Sequence, residues 1–167
     1  MRLYPGHLAT ILSLGLLGCT GEAVDPTAPA GVSLAWGPET PHFNLEVILR
    51  GQGFGHVKFR QPNDDQFVVF LDTWVRDLAP NTSYRLQRAV DTNVDDACTG
   101  TAWLTLGAGL TPMAIVTNDK GTGRAELWRS LSAFPPGSEF DIHFRVIEDL
   151  TGTVVLDSEC YQFTISL

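Results

Sequence analysis

Three cysteines occur in 167 residues, and no CxxC pair is among them. No histidine stands at ligand spacing from Cys98 or Cys160, so a zinc site is not expected. No GxSxG or comparable elbow is present, which leaves a serine hydrolase without a ready nucleophile. Basic residues are scarce, 11 Lys and Arg against 19 Asp and Glu, for a net charge of −8. A balance this acidic argues against nucleic acid and anionic membrane surfaces as partners, and mainly favours solubility. No apolar run approaches the roughly 20 residues that span a bilayer. No internal repeat of fixed period is found, and after the N-terminal region no stretch of helical length carries an apolar stripe of period 3.6.

What is present begins at the N-terminus. Met1 and Arg2 give a small positive region, and Leu8–Leu17 is an apolar stretch of secretory-signal length. It ends in Leu16-Leu17-Gly18-Cys19, which resembles the lipobox of bacterial lipoproteins, although Leu17 is bulkier than the usual residue at its place. The resemblance covers the first 19 residues. It implies cleavage after Gly18 and acylation of Cys19, with residues 1–18 as signal peptide; separately, no cofactor is expected. Two or three acyl chains, at about 0.8 kcal/mol per buried methylene, make such an anchor nearly permanent. Thr20, where an aspartate would signal retention, is similar to lipoproteins sent to the outer membrane of Gram-negative cells; in a cell with one membrane this point lapses. An ordinary secretory signal with an incidental cysteine, or a buried core helix, are the other readings of the same residues.

Removal of residues 1–18 takes one basic residue, Arg2, and no acidic one, so the exported chain is more acidic still. Residues 19–32, rich in Pro, Ala, Gly and Thr, read as a flexible tether. Residues 33–167 then suffice for one domain with a real core. With Cys19 lipidated, Cys98 and Cys160 remain, in a compartment where disulfides form. A bridge between them would close a loop of about 60 residues and stabilise by roughly 2–4 kcal/mol; two unbridged buried thiols are the alternative.

The domain reads as successive strands. Phe43–Leu49, Phe67–Val75, Tyr84–Val90, Trp103–Leu106, Met113–Thr117, Ala125–Leu131, Phe140–Val146 and Val154–Ile165 are apolar or alternate with period 2 between Gly, Pro, Asn and Asp. The last shifts phase midway, as a bulge would cause. About eight short strands predict an all-β fold, an antiparallel β-sandwich. Leu78-Ala79-Pro80-Asn81-Thr82-Ser83-Tyr84 resembles the L-x-P-x-T-x-Y segment of fibronectin type III and other immunoglobulin-like domains. That resemblance implies a corner in which the Tyr84 hydroxyl bonds back to the backbone. The chain exceeds the usual length of such modules, so extra strands are expected.

Candidate sites are few. Gly51, Gly53 and Gly55 superficially resemble a phosphate loop but lack the following helix, and a bend with close backbone approach is the better reading. Three acidic loops, Asn63-Asp64-Asp65, Asp91–Asp96 and Asn118–Gly121, offer oxygens for calcium, with Asp91, Asp95 and Asp96 as first ligands; turns want the same residues. His42, His56 and His143 show no paired ligand spacing, and Asp141 beside His143 at i, i+2 could orient a base or form a surface ion pair or ladder with Arg145. Arg85, Arg88, Arg129 and Arg145 lie on strands and are assigned to one sheet face, with Trp74, Trp128 and Tyr161 as neighbours. Arginine with aromatics suits interfaces and carboxylated or sugar ligands; cross-strand pairing with Asp72, Glu126, Asp141 and Glu159 is the plainer use. Asn81-Thr82-Ser83 matches a glycosylation acceptor, which weighs little in a bacterial exported chain.

The expectation is therefore a lipid-anchored envelope protein with a binding or structural role, held to the membrane by its lipid, with a protein or glycan ligand and without catalysis. A calcium-dependent or carbohydrate-binding module and a secreted hydrolase are the alternatives.

Overall fold

The computed structural model describes residues 44–62 and 67–166. The signal, Cys19, the tether, His42 and Asn63-Asp64-Asp65 lie outside the described residues. Among those described, no helix occurs.

Alternation in the sequence becomes alternation across a sheet. Eight longer strands are β1 (Asn44–Gly51), β2 (Phe54–Arg60), β3 (Val68–Arg76), β4 (Ser83–Asp91), β9 (Gly123–Ser130), β10 (Glu139–Glu148), β11 (Val154–Ser158) and β12 (Tyr161–Thr164). Between β4 and β9 come four two-residue pieces, β5 (Leu104–Thr105), β6 (Gly107–Ala108), β7 (Thr111–Pro112) and β8 (Ile115–Val116). All are hydrogen-bonded into one sheet in the order β5-β4-β10-β11-β1-β2-β3-β9-β6-β7, with β12 also on β10 and β8 also on β4. The sheet nearly closes on itself. The Leu106 N–H donates to Leu86 O of β4 at 2.9 Å, and three residues later the Gly109 N–H donates to Trp128 O of β9 at 3.0 Å. One short segment thus spans the seam between the two edges.

Twelve strands in one rolled sheet differ from the eight expected. β2 is absent from the expected set because its first inward position is Gly55, which weakens the apolar signal. A Cβ there would meet the Leu156 side chain at 3.0 Å and that of Leu49 at 3.2 Å, so the inner face is tight at this position. The segment expected as Val154–Ile165 breaks at Glu159–Cys160, where its phase shifts. β6 and β7 are too short for any periodicity.

Inward residues make one core. Val47, Leu49, Val57, Leu71, Leu86, Phe144, Val146 and Phe163 are almost wholly buried. Burial of each such side chain contributes roughly 1.5–3 kcal/mol. Phe59 packs edge-on against Phe163 at 4.6 Å between ring centroids, and against Phe144 at 6.0 Å. The β1–β2 turn approaches β11 so closely that a Cβ on Gly51 would lie 2.2 Å from Val155 O, while the Gln52 N–H donates to that same oxygen at 2.9 Å.

The β3–β4 connection is a built corner. The Ala79 N–H donates to the buried Tyr84 hydroxyl at 3.1 Å. Asn81 turns the chain with φ 51°, a conformation Asn tolerates. The Thr117 hydroxyl then donates to Ala79 O at 2.7 Å and accepts the Thr82 N–H at 3.0 Å, tying the corner to the strand end at β8. Across the fold, the Cys98 and Cys160 sulfurs lie 2.06 Å apart, at disulfide distance.

Candidate functional site: an aromatic and cationic sheet face

The outward face of β1-β2-β3-β9 gathers the side chains that the core rejects. Register sets the rows. Arg50 and Arg76 both lie opposite Phe54, His56 lies opposite Trp74, Lys58 opposite Asp72 and Arg60 opposite Phe70. One strand over, Trp74 meets Arg124, Asp72 meets Glu126 and Phe70 meets Trp128. Phe70, Trp74 and Trp128 are exposed at 40%, 37% and 40%, large for rings of this size. Five of the chain's 11 basic residues, Arg50, Lys58, Arg60, Arg76 and Arg124, share this face with only three outward carboxylates on these strands, those of Glu46, Asp72 and Glu126.

The rings form two groups. Phe54 and Trp74 meet edge to face at 6.1 Å, and the Arg76 guanidinium lies 4.9 Å from the Phe54 centroid and 5.8 Å from that of Trp74. Phe70 and Trp128 pair across β3 and β9, four residues further along β3, or about 13 Å. A charged band separates them. Arg124 grips Asp72 with both ends of its fork, at 2.9 and 3.0 Å, and reaches Glu126 at 3.3 Å. The bond to Asp72 makes the guanidinium hold its proton more firmly than usual. On either side of this pair lies a shallow open depression. One, of about 230 Å³, is lined by His56, Lys58, Asp72, Trp74 and Arg124. The other, of about 160 Å³, is lined by Arg60, Phe70, Asp72, Arg124, Glu126 and Leu127. Among the described residues, Lys58 and Arg60 form no ion pair.

The four arginines assigned to one face divide between two. Arg85 and Arg88 are three apart on β4, so alternation sends them to opposite sides. Arg85 and Arg145 face outward on β4 and β10. Arg85 pairs with Asp149, its Nη2 donating at 3.0 Å, and this bond draws the Asp149 carboxyl below the ordinary carboxylate range. Arg145 donates to Gln87 at 2.8 Å and lies 4.0 Å from the Trp103 ring centroid. Arg88 and Arg129 turn inward instead, in phase with Leu86 and Leu127. Trp74 and Trp128 belong to the other outer face, and Tyr161 is occupied in accepting the Ile48 N–H at 3.0 Å.

The remaining candidates are engaged in holding loops. Asp91 Oδ2 accepts the Thr99 and Gly100 N–H groups at 2.8 Å each, and the Asp95 carboxylate accepts the Ala97 N–H at 3.1 Å. Asp96 takes a positive φ of 61° in the same loop. Among the described residues no three of His, Cys, Asp and Glu converge as a metal site, and the Asp91 and Asp95 carboxylates are engaged with backbone N–H groups of this turn. In the third loop, Asn118 caps its own turn, its Oδ1 accepting the Lys120 and Thr122 N–H groups at 2.9 and 3.1 Å. His143 does not pair with Asp141. Its Nε2 lies 3.0 Å from Gly100 O and its ring stacks on Trp103 at 4.5 Å, while the buried Asp141 accepts the Asp95 N–H at 3.0 Å. His56 pairs with Glu46 on the open surface. Sequence reasoning missed the role of β2, and with it Phe54, Lys58 and Arg60; the alternation of Gly55, Val57 and Phe59 was the signal that placed them outward. No protein-family model matches the chain, and no curated protein matches it in sequence.

Proposed function

We propose that this is a lipid-anchored envelope protein that binds an acidic saccharide on the outward face of β1-β2-β3-β9, without catalysis. The observation that carries the reading is that face itself. Two ring groups about 13 Å apart flank shallow depressions edged by Lys58, Arg60 and Arg124 on a chain of net charge −8. Spaced rings in open depressions suit the flat apolar faces of sugar rings, and Lys58 and Arg60, which form no ion pair among the described residues, suit uronate, sulfate or phosphate groups. Interfaces also favour aromatics and arginine, but a protein partner would be better served by a continuous apolar patch than by rings parted by a charged band.

Lipidation at Cys19 after the Leu16–Cys19 motif, and an outer-membrane address from Thr20, complete the reading. A Cys19→Ser variant is expected in the soluble fraction, and intact mass of membrane-extracted protein should equal residues 19–167 plus acyl groups. The bond from Ala79 to Tyr84 supports kinship with immunoglobulin-like sandwiches, whose corner it matches.

The binding test is affinity electrophoresis of the full chain in gels carrying polygalacturonate or, as the neutral control, dextran. Retardation by the acidic polymer alone, weakened by salt and abolished by Trp74→Ala with Trp128→Ala, is expected. Equal mobility in both gels, or retardation that survives loss of both tryptophans, would sink the proposal.

A further inference from the structure

The seam between β4 and β9 is bridged only over part of its length. β5 covers Gln87 and Arg88 of β4, and β6 covers Trp128 of β9. Beyond that point, towards Val90 and Leu131, a cavity of about 90 Å³ opens, and its lining includes Arg88 and Arg129, one from each lip of the seam. The rest of the lining is apolar apart from Ser130, with Val90, Leu106, Leu131, Phe134, Phe140 and Phe144 the chief walls. Among the described residues no carboxylate lines it.

Two cations therefore face one space whose described lining carries no counter-charge. Among the described residues neither forms an ion pair. Arg129 donates through Nη1 to Gly109 O at 2.9 Å, which fixes its direction and leaves further N–H groups available. Burial, and then the charge of Arg129, makes Arg88 hold its proton less firmly than an ordinary arginine. A guanidinium stays charged in proteins all the same, so the unfavourable arrangement persists until an anion joins it.

We infer that the open end of the seam binds a small aliphatic carboxylate, its headgroup bridging Arg88 and Arg129 and its tail entering the apolar cavity. A planar carboxylate matches the guanidinium fork. The space is smaller than the cavity of about 150 Å³ that holds benzene, so it encloses only the end of a short tail, whose first methylenes lie at the open mouth of the seam beside the headgroup. This site rests neither on the lipid anchor nor on the outer saccharide face.

The experiment is thermal unfolding of the full chain with hexanoate, acetate or 1-hexanol at matched ionic strength. Hexanoate should raise Tm saturably, and acetate, lacking a tail, and hexanol, lacking a charge, should raise it little. Arg88→Gln should weaken hexanoate about tenfold, the scale of one charge-assisted bond, and should itself raise Tm without ligand because one of two facing cations is gone. Val90→Phe keeps both arginines and fills the space, and should also block hexanoate; it covers the case in which the Arg88 variant fails to fold. Trp74→Ala with Trp128→Ala should leave hexanoate binding unchanged, which separates this site from the outer one. No shift with hexanoate, an equal shift with acetate, or hexanoate binding indifferent to both the Arg88 and Val90 changes would each overturn the inference.

Discussion

Removing the cross-link between Cys98 and Cys160 acts mainly on the unfolded end of the folding equilibrium, and the size of the effect follows from the chain. The two residues are separated by 62 positions. Closing a loop of that length removes about 14 cal/mol/K of denatured-state entropy on the chain-entropy model, or about 4 kcal/mol at 25 °C. In the folded protein, little else is lost. The loop that carries Cys98 keeps the Asp91 bonds to Thr99 and Gly100, and the Asp141 bond to Asp95. Cys98→Ala with Cys160→Ala should therefore destabilise by about 4 kcal/mol through the unfolded state, against a total of about 5–15 kcal/mol for a domain. Urea unfolding followed by tryptophan fluorescence gives the number, and the m-value should rise because the uncrosslinked denatured chain exposes more surface. A loss under about 1 kcal/mol with an unchanged m-value would mean that the cross-link does not constrain the denatured chain, and the reasoning would fail. Amide exchange at Thr99 and Gly100, if still protected in the variant, would show that the carboxylate caps hold the loop unaided.

Other expectations are local. Tyr84→Phe leaves the Ala79 N–H without its acceptor at a part-buried corner and should cost about 1–3 kcal/mol, read as a lower urea midpoint; no change would mean that water replaces the hydroxyl. Gly51→Ala sets a Cβ against Val155 O at 2.2 Å, backbone against backbone, and should cost more than the few tenths of a surface change, measured by calorimetry. The Asp149 carboxyl, lowered by its bond to Arg85, stabilises the fold above the ordinary unfolded carboxylate pKa of about 3.9, and that contribution disappears as pH falls through the folded value. Asp149→Asn should therefore flatten the acid side of the stability profile slightly, the pair being solvent-screened; an identical profile would remove Asp149 from the account.

Much of this is readable in the chain. The Phe140, Ile142, Phe144, Val146 alternation lies inward along β10, and the phase shift near Cys160 is the break between β11 and β12. What escapes does so for physical reasons. β2 has glycine at an inward position closely approached by Leu49 and Leu156, and a residue with no side chain weakens the apolar alternation there. The single arginine face is a misreading that spacing could have split, since positions three apart on a strand cannot share a side. The cationic rows on the outer face depend on which strands become neighbours, and pairings between β3 and β9, far apart in sequence, leave no local trace.

The segment from Leu104 to Gly109 has a further consequence. β4 and β9 would otherwise end the sheet as bare edges, each a row of unpaired N–H and C=O groups able to recruit a strand from another molecule. By bonding Leu86 on one side and Trp128 on the other, this segment occupies part of both edges at once, and β8 covers a further part of β4. Under the proposed anchoring, copies side by side on one surface would meet at high local concentration, where edge-to-edge polymerisation is hardest to avoid. A fold that covers part of its own edges offers a shorter template for a neighbour's strand when copies are densely displayed.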